Sequence, residues 1–191
     1  NYDDKGKLLD IQEVVSDKYD SRGNVLSQTI ISKNEKGEVL SSQKITNSAF
    51  DSRGNPGFSR RENLDEAGNL VDVQEITNSK YDSRGNVLEQ TTVTKDADGV
   101  VIGSTKTINS DYNGRGAARK TVRENYDDKG KLVDVAETQN LEFDKRGNVV
   151  KQITTSRDAS GAFISKQETI SSDFDSRGNP AHHDGPHQGH A

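Results

Sequence analysis

All four histidines of this 191-residue chain lie in its last ten residues: His182, His183, His187 and His190, with Asp184 among them. Imidazole nitrogens at this density could hold a borderline-soft cation such as Zn2+, Ni2+ or Cu2+. Gly185, Pro186 and Gly189 interrupt the run, so no helix would preorganise the rings. The segment is expected to be a flexible polar tail, with weak metal binding as its functional alternative. Asp96-Ala-Asp98-Gly99 resembles the start of a calcium loop, and Asp127-Asp128 doubles a carboxylate. A calcium loop needs oxygen ligands at fixed alternate positions closing on a bidentate Glu, and that series is missing from both. Hairpin turns are the expected role of these acids.

A basic group, Arg60 and Arg61 and then Arg115, Arg119, Lys120 and Arg123, could contact phosphates. It stands in a chain of net charge −5 without interleaved aromatics, so nucleic acid is not an expected partner. Pairing with Glu62 and Glu124 is the expectation instead. Gly114-Arg-Gly116 is followed by no helix and is no phosphate cradle. Zero Cys removes disulfides, thiolate metal sites and thiol nucleophiles together. No Ser stands on a nucleophile-elbow pattern, and a Ser–His–Asp set would have to borrow its base from the tail. The acidic residues recur periodically, whereas a catalytic constellation is singular. The chain is expected to be no enzyme and to need no cofactor.

Those residues are placed by a repeat. Twelve of the seventeen glycines fall at Gly6, Gly23, Gly37, Gly54, Gly68, Gly85, Gly99, Gly116, Gly130, Gly147, Gly161 and Gly178, at intervals alternating 17 and 14. Two intervals make a 31-residue period, and the sequence repeats best at 62: Asn1 to Gly6 recurs letter for letter at Asn125 to Gly130. Each glycine closes a segment such as Asp20-Ser-Arg-Gly23-Asn24. An Asp that bonds forward to the backbone, followed at the fourth place by a Gly able to take positive φ, predicts a type I turn with a G1 bulge. The segments between are rich in Thr, Val and Ile, as in Val87 to Thr94, and predict strands. Hydrophobic residues make up only 28% and aromatics 5%, so a thick core is not expected. No apolar run is long enough to span a membrane as a helix.

The fold class that follows is all-β: tandem hairpins in one elongated twisted sheet or superhelix, the alternative being a β-solenoid whose coils each take up one 31-residue period. The array runs over 1–180, in units of about 1–6 (partial), 7–68, 69–130 and 131–180, with 181–191 as the tail. The glycines of the aromatic-bearing turns are Gly23, Gly54, Gly85, Gly116, Gly147 and Gly178. Just before each turn stands a ring: Tyr19, Phe50, Tyr81, Tyr112, Phe143 and Phe174. These rings are expected to pack over the hairpin corner, where a stacked pair adds ~0.5–1.5 kcal/mol beyond burial. The functional alternative is a glycan-stacking face. In a plain meander, turns at Asp20–Asn24 and Asn34–Glu38 bring position x level with position x + 28, three short of the repeat. That would put equivalent residues on opposite faces. A bulge in each longer strand would restore the register. Apolar Ile11, Val73 and Val135 against polar Ser42, Ser104 and Lys166, one period away, favour alternating faces.

The motif Tyr19-Asp-Ser-Arg-Gly-Asn-Val-Leu26, repeated at Tyr81 to Leu88 and echoed at Phe143 to Val150, resembles the tyrosine–aspartate (Rhs-type) repeat of bacterial surface and toxin-shell proteins. The resemblance implies an extracellular or cell-surface protein built as a spiral β-sheet. The chain starts inside a repeat, which leads to the expectation of a longer array or of a subunit whose edge the next subunit covers. The functional expectation is a non-catalytic structural segment of a fibre, stalk or surface assembly, self-associating edge to edge. The alternative is an adhesin module that binds glycans or another cell surface.

Overall fold

The computed structural model describes residues 11–174 and the backbone of 180–184. The strands are β1 (Ile11–Tyr19), β2 (Val25–Lys33), β3 (Val39–Phe50), β4 (Pro56–Leu64), β5 (Leu70–Tyr81), β6 (Val87–Asp96), β7 (Val101–Tyr112), β8 (Ala118–Tyr126), β9 (Leu132–Phe143), β10 (Val149–Asp158), β11 (Phe163–Phe174) and β12 (Pro180–Asp184). The sheet order follows the chain order from β1 to β12. Neighbours pair antiparallel, as in β1·β2, β3·β4 and β8·β9. This is the all-β tandem-hairpin architecture the glycine spacing predicts. Coils of a solenoid would pair in parallel, so that alternative is excluded. No helix long and apolar enough to cross a membrane occurs among the described residues. Two compact units divide the chain, Asn1–Ser79 with Gln90–Ser104 and Lys80–Glu89 with Thr105–Ala191.

Ten described turns share one hydrogen-bond pattern. In the turn Asp20 to Asn24, Asp20 N–H donates to Asn24 O (2.9 Å) and Gly23 N–H to Asp20 O (3.1 Å). The same two bonds recur at every turn through Asp158 to Ala162. The turn glycines have φ between 76° and 94°, the left-handed region where an L side chain is strained. The first turn residue adds an Asx arrangement: Asp51 Oδ1 accepts from the N–H groups of Arg53 (2.8 Å) and Asn55 (2.9 Å). Each hairpin is thus closed by local chemistry alone, which is why a chain with so little core can still fold into strands.

The register explains the repeat length. In the first unit Ile45 lies opposite Arg61, and Arg61 opposite Gln74, so Gln74 is level with Ile45 two strands on. That is one position further than a plain meander would reach. The extra residue is Leu40 in β3 and Val71 in β5, each next to a turn on the shorter, 14-interval side. Val133 in β9 and Ile164 in β11 do the same in the second unit. The bulge therefore does fall in the longer strands, but it brings equivalent residues to within two positions and leaves that stagger in place. Two is an even number, so equivalent residues share a face: Ile76, the repeat counterpart of Ile45, is two beyond Gln74. Faces accordingly do not alternate between successive repeats, contrary to the expectation from Val73 and Ser42. The doubled period shows instead in the backbone before the aromatic turns. Ala49 and Asp111, two repeats apart, have φ of 54° and 55°. Ser16/Lys18 and Glu142/Asn140, in the alternate repeats, carry register irregularities.

Burial is thin. Ile45 (7% exposed), Val73 (4%) and Ile76 (5%) are the buried apolar side chains among the described residues, joined by Ser59, Thr169 and Ser171. A single layer has no second layer to bury against, so long polar side chains supply the cover for what apolar surface there is.

Candidate functional surface

The two faces of each unit carry different chemistry. One face holds ladders of amide and hydroxyl groups that end on a carboxylate. Gln43 Nε2 donates to Asn63 Oδ1, and Asn63 Nδ2 to Asp72 Oδ1, both at 2.7 Å. The second unit repeats this with Thr105 to Asn125 (3.0 Å) and Asn125 to Asp134 (2.7 Å). Ile45, Ile76 and Ser59 lie buried on this face, because the register places them beside Gln43, Asn63 and Gln74. The other face carries ion pairs: Lys33 to Glu13 at 2.7 Å and Arg60 with Glu62 in the first unit, Lys120 to Glu137 at 2.9 Å and Lys151 to Glu168 at 2.6 Å in the second. Pairs this exposed are worth ~0–1 kcal/mol each.

The ladder face includes two shallow concavities among the described residues. One, of about 500 Å³, is lined by residues that include Gln12, Ile30, Gln43, Asn63 and Val71. The other, of about 370 Å³, is lined by Thr121, Arg123, Thr138, Asn140, Gln152 and Thr154. Both are stretches of the same ladder, and neither gathers a nucleophile, a base and an orienting group.

A structural asparagine that the sequence motifs did not single out recurs at the 31-residue spacing through the middle of the array, with Ser16 and Ser171 at its place towards the two ends. Asn47, Asn78, Asn109 and Asn140 each donate Nδ2 to a backbone carbonyl 22 residues earlier, at Val25, Pro56, Val87 and Ala118, over 2.8 to 3.1 Å. Those carbonyls begin the strands after the aromatic turns, where regular pairing is interrupted. The asparagine supplies the donor that the ladder omits. Its own oxygen is met by Ser59 at Asn47, by Gln90 at Asn78 and by Thr121 at Asn109. The signal was readable as an Asn three residues before Phe50, Tyr81, Tyr112 and Phe143, where Tyr19 and Phe174 have Ser16 and Ser171.

The aromatic row lies beside these asparagines. Tyr19 is 58% exposed, while Phe50, Tyr81, Tyr112, Phe143 and Phe174 are half-buried. The Tyr112 hydroxyl donates to the Val87 carbonyl, and burial pushes its pKa up. The Arg119 guanidinium sits 5.3 Å from the centre of the Phe143 ring, a cation–π contact. Gly23, Gly54, Gly85, Gly116 and Gly147 hold positive φ in the turns beyond; Gly178 lies outside the described residues.

An arginine stands in each of these motifs, and Arg22 and Arg84 reach forward. Arg22 Nη1 donates to Asp51 O at 3.2 Å and Arg84 Nη1 to Asn113 O at 3.5 Å, so one turn grips the next. The acids first considered for calcium are engaged as turn formers: Asp96 Oδ1 accepts from Asp98 and Val100 N–H groups, and Asp127 Oδ1 from Lys129 and Lys131. Among the described residues no three His, Cys, Asp or Glu side chains group as a metal site. The backbone of His182 and His183 lies in β12 opposite Ser172 and Ser171, while His187 and His190 lie outside the described residues. No family model matches the chain, and no curated protein does.

Proposed function

We propose that this protein is a non-catalytic structural repeat, a segment of an extracellular or cell-surface fibre, stalk or sheet that assembles through β-strand edges. One observation carries the reading. Each specialised group in the described array, from turn Asp to capping Asn to gripping Arg, recurs in step with the repeat and serves the hairpin next to it. Chemistry spread evenly along a chain suits load-bearing and repetition. The polar ladders on both faces fit a layer meant to stay wetted on two sides. The cell-surface location rests on the tyrosine–aspartate motif alone.

Negative-stain electron microscopy and sedimentation velocity of native material test the proposal. Filaments, sheets or a mass that rises with concentration are expected. A monomer at every concentration, together with a turnover activity that survives purification, would overturn it.

A further inference from the structure

Four aliphatic side chains stand in water at one repeat position. Leu40, Val71, Ile102 and Val133, in β3, β5, β7 and β9, are 49%, 53%, 55% and 50% exposed. Leu40, Val71 and Val133 are the surplus residues of their strands, left out of the pairing beside the open turns. A scattered apolar side chain on a surface is ordinary. An aliphatic at four successive repeats, in a chain only 28% hydrophobic, makes a row.

In the first unit Leu40, Val71 and Ile102 each follow an acidic turn by two residues. The segments 34–38, 65–69 and 96–100 hold six carboxylates against Lys36 alone, and the space around Gly37, Gly68 and Gly99 is open. The aromatic end of the second unit has the opposite sign. Its turns 82–86, 113–117 and 144–148 hold Arg84, Arg115, Lys145 and Arg146, all exposed, against Asp82 and Asp144. The Asp144 carboxylate accepts from Arg146 N–H, Asn148 N–H and the Asn148 amide of its own turn. Asp82 is held the same way by Arg84 and Asn86. Both acids are half-buried, so the cations are the exposed charges of these turns.

We infer that the two ends are the halves of a side-by-side contact between two copies of this chain. The aliphatic, acidic end of one copy's first unit seats on the aromatic, arginine-bearing end of another copy's second unit. Three observations choose that occupant. In both units a repeat crosses two strands with two positions of stagger, a step of about 12 Å. A row of that step is matched along its length by another row of the same repeat. Charge also selects the pairing: carboxylate turns meet guanidinium turns, whereas two acidic ends brought together would repel. Finally, the half-buried rings of Tyr81, Tyr112 and Phe143 offer the aliphatic row an apolar surface to lie against. Such a contact is head-to-tail, so it repeats from copy to copy and lays arrays beside one another. It goes beyond the strand-edge assembly proposed above and does not depend on it.

The test is sedimentation velocity of the full 191-residue chain as ionic strength rises from about 0.01 M to about 1 M. Self-association is expected at the low end and should fall away as salt screens the turns. The Glu66→Lys/Asp98→Lys chain and the Arg115→Glu/Arg146→Glu chain should each associate at least tenfold more weakly alone, because each sets like charge against like. An equimolar mixture of the two should regain the association, since the reversed ends match each other and so do the unaltered ends. Val71→Ser with Ile102→Ser should weaken the contact severalfold and leave its salt dependence unchanged. Thermal melts check that every variant is folded. A wild type that stays monomeric at low salt, association indifferent to salt, or a mixture that regains nothing would overturn the inference. Filaments one array wide, unaltered by either charge reversal, would overturn it too and leave the strand-edge reading standing. Side-by-side association that never lengthens the array would uphold it and overturn the strand-edge contact.

Discussion

The two ends of the hairpins are built from one turn and differ in everything around it. At the aromatic end successive turns touch. A Cβ placed on Gly54 would come within 2.5 Å of Asn24 Oδ1, and one on Gly116 within 3.1 Å of Asn86 Oδ1. Arg22 and Arg84 bridge to the following turn, and the asparagine row caps the carbonyls just inside it. At the other end the space around Gly37, Gly68, Gly99, Gly130 and Gly161 is open. There the bulge residues Leu40, Val71, Val133 and Ile164 stand about half exposed, as does Ile102 at the same repeat position. The backbone hydrogen bonds of the turns are alike at both ends. The turn motif therefore closes a hairpin and nothing more; at the aromatic end the turns themselves touch, whereas at the open end hairpins are joined through strand side chains such as Gln43–Asn63 and Thr105–Asn125.

The sharpest way to break this contrast is to put the same methyl group at both ends. Gly54→Ala is expected to cost about 2–3 kcal/mol, because the left-handed φ alone costs roughly 1–2 kcal/mol and Asn24 must also give way. Gly37→Ala should cost only the φ part, about 1–2 kcal/mol. Chemical denaturation of both, and of Gly54→Ala in an Asn24→Ala background, measures the difference; equal losses would erase the distinction between the ends. Next in size is Asn47→Ala, which leaves the Val25 carbonyl without its donor and should cost about 1–2 kcal/mol, read by the shift in denaturation midpoint. At the open end, Leu40→Ser should change stability by no more than about 0.5 kcal/mol, since the side chain is already half in water. A loss as large as that of Asn47→Ala would mean the turns of the open end are coupled as well.

Acid gives the gentlest probe. The Asn55 side-chain amide, and after it the Asn55 and Arg53 N–H groups, hold the Asp51 carboxyl below its ordinary value; Asn24 does so first for Asp20, Asn86 for Asp82 and Asn69 for Asp65. A carboxylate with a lowered folded pKa stabilises the fold above its unfolded value near 4, and that contribution fades as pH falls through the lowered folded values. Melting temperature should therefore hold down to about pH 4 and drop below it. Asn55→Ala should flatten part of that drop, and melts of the two chains from about pH 6 to about pH 2 would show it.

The turns were legible in the sequence because their chemistry is local. An Asp, a Gly three places later and β-branched segments between them leave a hairpin as the consistent outcome. The bulges were not legible at their sites. Leu40 and Val71 look like ordinary strand residues, and only the cross-strand register shows which one is extra. Face assignment failed for the same reason: one unseen residue per repeat converts an odd displacement into an even one. The asparagine row was visible as a spacing, but its role depends on a distant carbonyl, Val25 O for Asn47, that pairing leaves open. The forward reach of Arg22 likewise depends on how closely the next turn approaches, which no single repeat encodes.

The two-position stagger has a mechanical side. Within each unit the line through equivalent residues climbs about 7 Å along the strands for every two strands, or about 9.6 Å, that it crosses, a slant of about 35°. Tension applied along that line is therefore not a pure peel. Somewhat more than half of it, by the sine of the slant, acts parallel to the strands and loads many hydrogen bonds at once instead of opening them one after another. A single surplus residue such as Leu40 would thus set how the ribbon meets a pull.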